Sequence, residues 1–557
     1  MQLESAQYFS NMRFQQLVGV ASFHPLQVLV SYAAKAKTND FYAYDVAKSS
    51  KLSEKAVREA AIGLAREGYL TYDGQSNFIS LKPKAWHYVG SAQNLSDYDH
   101  LVTKSVVPSG RNATLNLNSN RLTVRGVEKM AFNNDSAAVY AVPDSNIVHL
   151  LDNRNMEFGG RLYAGRLNFR GSQFKFDYNE FMIDMQKLDT VAFVTKKHRA
   201  VGKKKELEQV MTSRSGKMSG KLYINKPNNK SGRKHYPEYP KFDSPMGGQV
   251  AFARPDVLAG AYDSTVYFDI PSYKLDSLSK GKSMLGFSGT FHSGDIFPPI
   301  KTKLTMMPDE TLGFYYQPGP NGLPAFGGKG IAYDTIMMTS AGIQSRGTLK
   351  YLTSTFEAPE YTYYLDKVVT QKGTSAKMEA GGGQANFPVA SMGHYEMVWA
   401  PKQDTMYVMV AAENPMKIYK EEFKFTGTAK LSPGGLYGEG ELDNTDANII
   451  SQKLSFKGRN LSGNNAQMIV KSDVAGKPAM KATDMAISYD LDKRFVEFGS
   501  EQKGIASIEF PQAQYKTRMS RATWDMKHQK VSLAADDAGA KNYFYSQHPE
   551  QEGQYFS

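Results

Sequence analysis

Ten histidines are the first residues to weigh for chemistry: His24, His87, His100, His149, His198, His235, His292, His394, His528 and His548. No two stand at the spacing of a helical or hairpin metal pair, and no His-Glu-x-x-His occurs, so the order of residues assigns no metal ligand. The chain has no cysteine, which removes disulfides, thiolate metal sites and a thiol nucleophile. The run Gly319-Pro320-Asn321-Gly322-Leu323-Pro324-Ala325-Phe326-Gly327-Gly328-Lys329-Gly330 ends like a phosphate-binding loop. That loop needs Gly, four residues, then Gly-Lys-Ser/Thr, and here Leu323 and Gly330 occupy the first Gly and the hydroxyl position. It reads as a turn between strands. Asp490, Asp492, Asp525, Asp536 and Asp537 could supply paired carboxylates for glycoside chemistry, but their spacing selects no pair, and solvated turn acids are the simpler reading. No catalytic residue and no cofactor is assigned.

Charge is the more informative signal. Residues 196–235 hold thirteen Lys or Arg against Glu206 and Glu208, which is nearly all of the chain's formal charge of +12. Lys203, Lys204, Lys205, Arg233 and Lys234 bracket this segment and are the candidate anion-binding residues. Several such cations grip phosphate or uronate groups through weak contacts that salt screens. The plainer alternative is a solvated loop whose charge keeps a β scaffold soluble.

The elements that must position these residues are mostly strands. A chain of 557 residues predicts three or four units or one repeat array, and its 33 Tyr, 30 Phe and 47 Gly favour strands and tight turns. No run of about 18 apolar residues exists to span a membrane as a helix. Near the start two helices are expected, one over about 25–36 with Pro25 in its first turn, the other from about Ser53 to Glu67. In the second, Ser53 caps the start, Leu52 and Val57 make a hydrophobic staple, Val57, Ala61 and Leu64 form the buried stripe, and Gly68 ends the helix. A hairpin, Tyr69–Tyr72 and Phe78–Leu81 about Asp73-Gly74, follows. That order predicts a small winged-helix-like module over 1–92. Its second helix carries Lys55, Arg58 and Arg66 against Glu54, Glu59 and Glu67, a neutral balance that argues against DNA.

Beyond it the apolar pattern has period two, as in Phe174-Lys175-Phe176-Asp177-Tyr178. Three echoes occur: Phe158, Gly160, Leu162, Gly165, Leu167 with Phe287, Gly289, Phe291, Gly294, Ile296; Thr339, Gly342, Ile343, Gly347, Leu349 with Ser432, Gly435, Leu436, Gly440, Leu442; and Tyr489-Asp490-Leu491 plus Val496 with Trp524-Asp525-Met526 plus Val531. They predict a mainly β fold, an elongated β-solenoid or stacked β-repeat scaffold, with a set of β-sandwiches as the alternative. The expected units are 1–92, 93–245 with the basic segment, and 246–557. Met1–Ser5 lacks the regions of a signal peptide and the strand pattern breaks off at Tyr555–Ser557, so a piece of a longer protein, truncated at the C-terminus, is expected.

The segments Gly435–Leu442, Phe510–Tyr515, His548–Gln551, Pro227–Gly232 and Gly327–Gly330 resemble stretches of very large secreted envelope proteins of Bacteroidetes, which have no assigned function. A further likeness, on the Tyr/Trp-Asp-apolar repeats near Asp490 and Asp525, is to the OstA-like β-folds of lipopolysaccharide transport, whose open sheet carries acyl chains. The resemblance implies a cell-envelope location (periplasmic, outer-membrane-associated or extracellular). It also implies a non-enzymatic structural or transport scaffold, with lipopolysaccharide, acidic glycan or other envelope proteins as partners. Alternatives are a carbohydrate-active β-helix enzyme and a DNA-binding winged-helix protein. Bacteroidetes attach O-glycans at Asp-Ser/Thr before a small or aliphatic residue, which makes Ser136, Thr190, Ser264, Ser277, Thr335 and Thr405 glycosylation candidates. Chance would give roughly one or two such matches; the alternative is that the motif simply opens a strand after a turn.

Overall fold

The computed structural model describes residues 1–4, 24–93, 95–99, 101–133, 139–194, 208–212, 218–278, 286–381, 383–474, 476–500, 507–534, 541–546 and 555–556. The protein is mainly β, 52% strand and 12% helix, and its strands pair antiparallel. Two compact units divide it: Met1–Ala251 with Asp269–Phe287, and Phe252–Phe268 with Ser288–Ser557.

Within the first unit, four helices precede most of the strands: α1 (Pro25–Ala36), α2 (Ala43–Ser50), α3 (Glu54–Arg66) and α4 (Pro83–Ala92). In α3 the Ser53 hydroxyl accepts from the Ala56 amide at 3.2 Å, Val57, Ala61 and Leu64 are the buried residues, and Gly68 takes φ +79°. That left-handed φ lets the Tyr69 amide return to the Leu64 carbonyl at 3.0 Å, closing the last turn. The strands Leu70–Asp73 and Phe78–Leu81 form the expected hairpin, and Asp40–Tyr42 adds to its Phe78–Leu81 edge.

The period-two pattern beyond residue 101 becomes ladders in which alternate side chains along a strand are buried, as in Met156–Ala164. One turn recurs at the hairpin ends. Asp73, Asn116, Asp177, Asp490 and Asp525 each close a strand, and a residue four positions on takes positive φ (Asn77, Asn120, Phe181, Arg494 and Gln529). The next residue then pairs back across the turn. In all five the Asp or Asn side-chain oxygen accepts a backbone amide two or three residues on, at 2.9 to 3.1 Å. A short side chain that caps its own turn is the reason these types sit there. Asp490 and Asp525 are therefore turn-capping acids. The Lys493 amide and ammonium hold the Asp490 carboxyl below its ordinary range, and His528 does the same for Asp525.

In the second unit the sheet divides and rejoins. The strand Ser354–Tyr363 pairs along its length with Gly342–Tyr351, but on its other side one end pairs with Val368–Gly373 and the other with Ser375–Met378. Each arm gains further short strands until both meet on Phe423–Ser432. Trp399 of one arm packs on Tyr351 at a ring distance of 5.2 Å and on Phe326 at 5.4 Å. Buried phenols tie the same core: Tyr361 and Tyr395 hydroxyls meet at 3.3 Å, Tyr395 donates to the Glu357 carbonyl at 3.0 Å, and Tyr351 donates to the Asp404 carbonyl at 2.7 Å. The glycine-rich run is a hairpin turn between Leu323–Ala325 and Gly330–Ala332. A Cβ on Gly330 would lie 2.5 Å from the Trp399 ring, so this glycine admits the indole.

Two outcomes follow. Leu64→Ala should lower stability by about 2–5 kcal/mol by opening a cavity in the helical core, whereas exposed Lys55→Ala should change it by no more than about 0.5 kcal/mol; denaturant midpoints read on helical ellipticity compare the two. Burial pushes the Tyr395 hydroxyl up to about 12 and moves Tyr361 and Tyr363 upward as well. Such groups add stability that is complete below the ordinary phenol value of 10.0 and is lost as pH climbs toward the folded value. Urea midpoints should therefore fall between about pH 10 and 12, and less steeply in Tyr395→Phe.

Candidate binding cleft

A cleft of about 590 Å³ lies on the 462–534 strands and another of about 610 Å³ in the first unit. The second concentrates charge. It is lined by Arg121, Asp144, Ser145, His149, Glu157, Lys175 and Gln186 among others. Their arrangement follows from register. Thr123, His149, Glu157, Lys175, Asp184, Lys221, Asp243 and Lys274 stand directly opposite one another on successive strands of one face. From Glu157 onward the signs alternate, and opposite charges across strands attract, each pair contributing roughly 0.2–1 kcal/mol. The Lys274 ammonium reaches Asp243 at 3.0 Å.

At the cleft end of this row, Glu157 holds Arg121 at 3.0 Å and Lys175 at 3.8 Å. His149 Nδ1 and the Thr123 hydroxyl share a hydrogen bond of 3.0 Å. Burial, reinforced by Arg121, holds the imidazole below its ordinary range, so His149 is neutral near pH 7. The carboxylate of Glu157 faces two cations, an arrangement suited to orienting guanidinium and ammonium groups rather than to proton donation. What the cleft presents is two cations, Arg121 and Lys175, matched by the carboxylates of Glu157 and Asp144 beside serine and glutamine side chains, a polar surface of balanced charge. The backbone bends to make room: Ser172 and Gln173 together oppose Gly159 as a bulge with Gln173 at positive φ, and Gly160 at φ +129° sits where a Cβ would meet the Val142 carbonyl at 2.4 Å.

The structure places the sequence candidates elsewhere. Lys203, Lys204 and Lys205 lie outside the described residues, as does Ser136. Arg233 and Lys234 do not line the cleft; Arg233 donates to the Asn228 carbonyl at 3.4 Å and Lys234 is exposed. Their loop is built into the fold. Asp97, just after α4, accepts from the Lys230 amide at 2.7 Å, the Ser231 amide at 3.0 Å and the Ser231 hydroxyl at 2.7 Å. Buried Asn229 bridges Asn225 and both backbone groups of Lys234. The Lys230 ammonium sits 5.0 Å from the Tyr178 ring, whose hydroxyl donates to buried Asp99 at 2.8 Å. Of the glycosylation candidates, Ser264 is exposed, and Thr190 and Thr335 are half-buried. Ser277 and Thr405 are buried, their hydroxyls donating to the Pro237 and Gln403 carbonyls at 2.6 and 3.0 Å.

Among the described residues no group of three or more His, Asp or Glu is placed to hold a metal, and no helix is long and apolar enough to cross a membrane. Lys329 of the glycine-rich run donates to the Pro401 carbonyl at 2.6 Å. No family model matches the chain, and no curated protein matches it.

Asp97→Ala should strand the two amides it accepts and lower stability by about 1–3 kcal/mol. Limited proteolysis should then cut the 225–235 loop faster than in wild type, while Lys234→Ala leaves the cleavage rate unchanged.

Proposed function

We propose that this chain is a non-enzymatic scaffold of the bacterial cell envelope that holds an anionic glycan through its basic segment and the Arg121–Lys175 cleft. The observation that carries the reading is that cleft: Arg121 and Lys175 fixed by Glu157, with Asp144 and neutral hydrogen-bonding side chains beside them, at the end of a long ordered row of charge. The likeness to Bacteroidetes envelope proteins supplies the compartment. Glycan is favoured over an acyl chain because the large side chains of Trp399, Tyr351, Tyr361 and Tyr363 are fully buried and occupy the interior of the second unit. Of the acids a carbohydrate-active enzyme would call on, Asp490 and Asp525 are engaged in their own turns and Asp492 is paired with Arg459, while Asp536 and Asp537 lie outside the described residues.

The finer architecture belongs to the same proposal. We read the β region as stacked repeats, because the Tyr489 and Trp524 hairpins share turn, register and neighbour. The helical module reads as a winged helix. Its order is helix, strand, two helices, then a hairpin, with the first strand on the hairpin's edge, and a fourth helix follows. We assign it a docking or spacer role, since Arg58 is tied to Glu54 on the helix that would meet DNA. Among the described residues, Ser264 is the exposed member of the proposed O-glycan acceptors.

Binding to lipopolysaccharide and to polygalacturonate at low and high salt tests the reading. Arg121→Ala with Lys175→Ala should weaken binding, as should the triple change Lys203→Ala, Lys204→Ala, Lys205→Ala, and salt should weaken wild type most. Equal binding by all three proteins, or binding indifferent to salt, overturns it.

A further inference from the structure

The strand Lys530–Ala534 pairs on one side with Arg521–Asp525, and among the described residues its other edge has no partner. The repeat shows what such an edge is shaped to receive. In the preceding hairpin, Tyr489 opposes Val496 across the turn, as Trp524 opposes Val531 in this one. The outer edge of Phe495–Gly499 is covered by the next hairpin, which sets Trp524 against Val496 and Ala522 against Phe498. Covered in this way, Val496 is 0% exposed and Phe498 3%. Val531 and Leu533 occupy the same two positions of the second hairpin and are only half-buried. Equivalent side chains thus differ in burial by the presence of one more strand.

The edge itself is also left open to pairing. Natural sheets guard an edge with proline, a bulge or an inward-pointing charge. The strand Lys-Val-Ser-Leu-Ala has no proline, pairs residue for residue without a bulge, and points Val531 and Leu533 to the apolar side. Its one charge, Lys530, is beside the turn.

We propose that the free edge of Lys530–Ala534 accepts a further β-hairpin of the same aromatic-Asp-apolar class. The hairpin docks antiparallel, with an aromatic side chain opposite Val531 and a small one opposite Leu533. The partner is defined by that pattern: main-chain hydrogen bonds supply the attachment and the aromatic residue supplies the selection. This inference does not depend on the glycan reading, since none of these residues lines the Arg121 cleft.

The probe is a labelled synthetic peptide of residues 519–534, which carries the pattern, titrated onto the full chain by fluorescence anisotropy. It should bind saturably, and the same peptide with Trp524→Ala should bind at least about tenfold more weakly. Leu533→Lys in the protein, which sets a charge against the incoming apolar face, should weaken binding to a similar degree. A readout that needs no variant is hydrogen exchange: the peptide should slow the amides of 530–534 and leave those of 435–443 unchanged. Absence of saturation up to about 1 mM overturns the proposal, as does equal binding to Leu533→Lys or binding without protection of 530–534. Dimers that Leu533→Lys dissolves and the peptide does not compete away would assign the edge to a second copy, and also overturn it.

Discussion

Cross-strand register is the constraint on which both units depend. A strand alternates its side chains between two faces, so a slip of one residue would carry every buried side chain to solvent. On the inner face Leu461, Tyr489, Val496, Trp524 and Val531 stand in one continuous row. On an outer face of the first unit Glu157, Lys175, Asp184, Lys221, Asp243 and Lys274 do the same with alternating sign. The apolar row makes a slip costly through lost burial. The charged row opposes it as well, because the same slip would take each charge away from its counter-charge. Two sets of interactions with different physical origins thus select one pairing.

Register in turn rests on the hairpin ends. The self-capping Asp and Asn turns use local hydrogen bonds to set which residues face each other, so that little long-range search is needed for those pairs. Where strands run long, ladder shifts near Gly160 and Gly347 accompany strands whose two ends serve different neighbours. The aromatic core of the second unit follows from this: Trp399, on one arm, packs on Tyr351 of the strand Gly342–Tyr351 that precedes the division. Burial of so many phenols with their hydroxyls satisfied makes that core specific, since a displaced ring would leave a buried hydroxyl without its carbonyl.

The candidate binding features sit where this regular pattern is interrupted. The Arg121 cleft opens beside the Ser172–Gln173 bulge, and the Asp97 clasp holds a lysine-rich loop that strand alternation alone would leave unplaced. The clasp also shows that formal charge overstates what a basic segment offers a ligand: Lys230 is engaged with Pro227 and the Tyr178 ring, and Arg233 with Asn228.

Much of this was legible in the residues themselves. Pro25, Ser53, Gly68 and the stripe Val57, Ala61, Leu64 specify α1 and α3 by local capping and a single helical period, and the Tyr489 and Trp524 echoes fall at matching register positions of two hairpins. The helix α2 was harder to see, being eight residues whose buried positions are Ala43, Val46 and Ala47, too small to raise a clear apolar stripe. Pro83 followed by Ala85, Tyr88 and Val89 did carry a readable signal for α4. The cleft was not readable. Counting back from the Ala164–Leu167 turn pairs Glu157 with Phe174, and only the bulge at Ser172–Gln173, opposite Gly159, shifts the ladder by one to bring Glu157 against Lys175. Local capping and periodicity are properties of neighbouring residues and so belong to the sequence. A bulge's position, and every pairing beyond it, depends on how strands pack against partners far along the chain, and that only the tertiary structure decided.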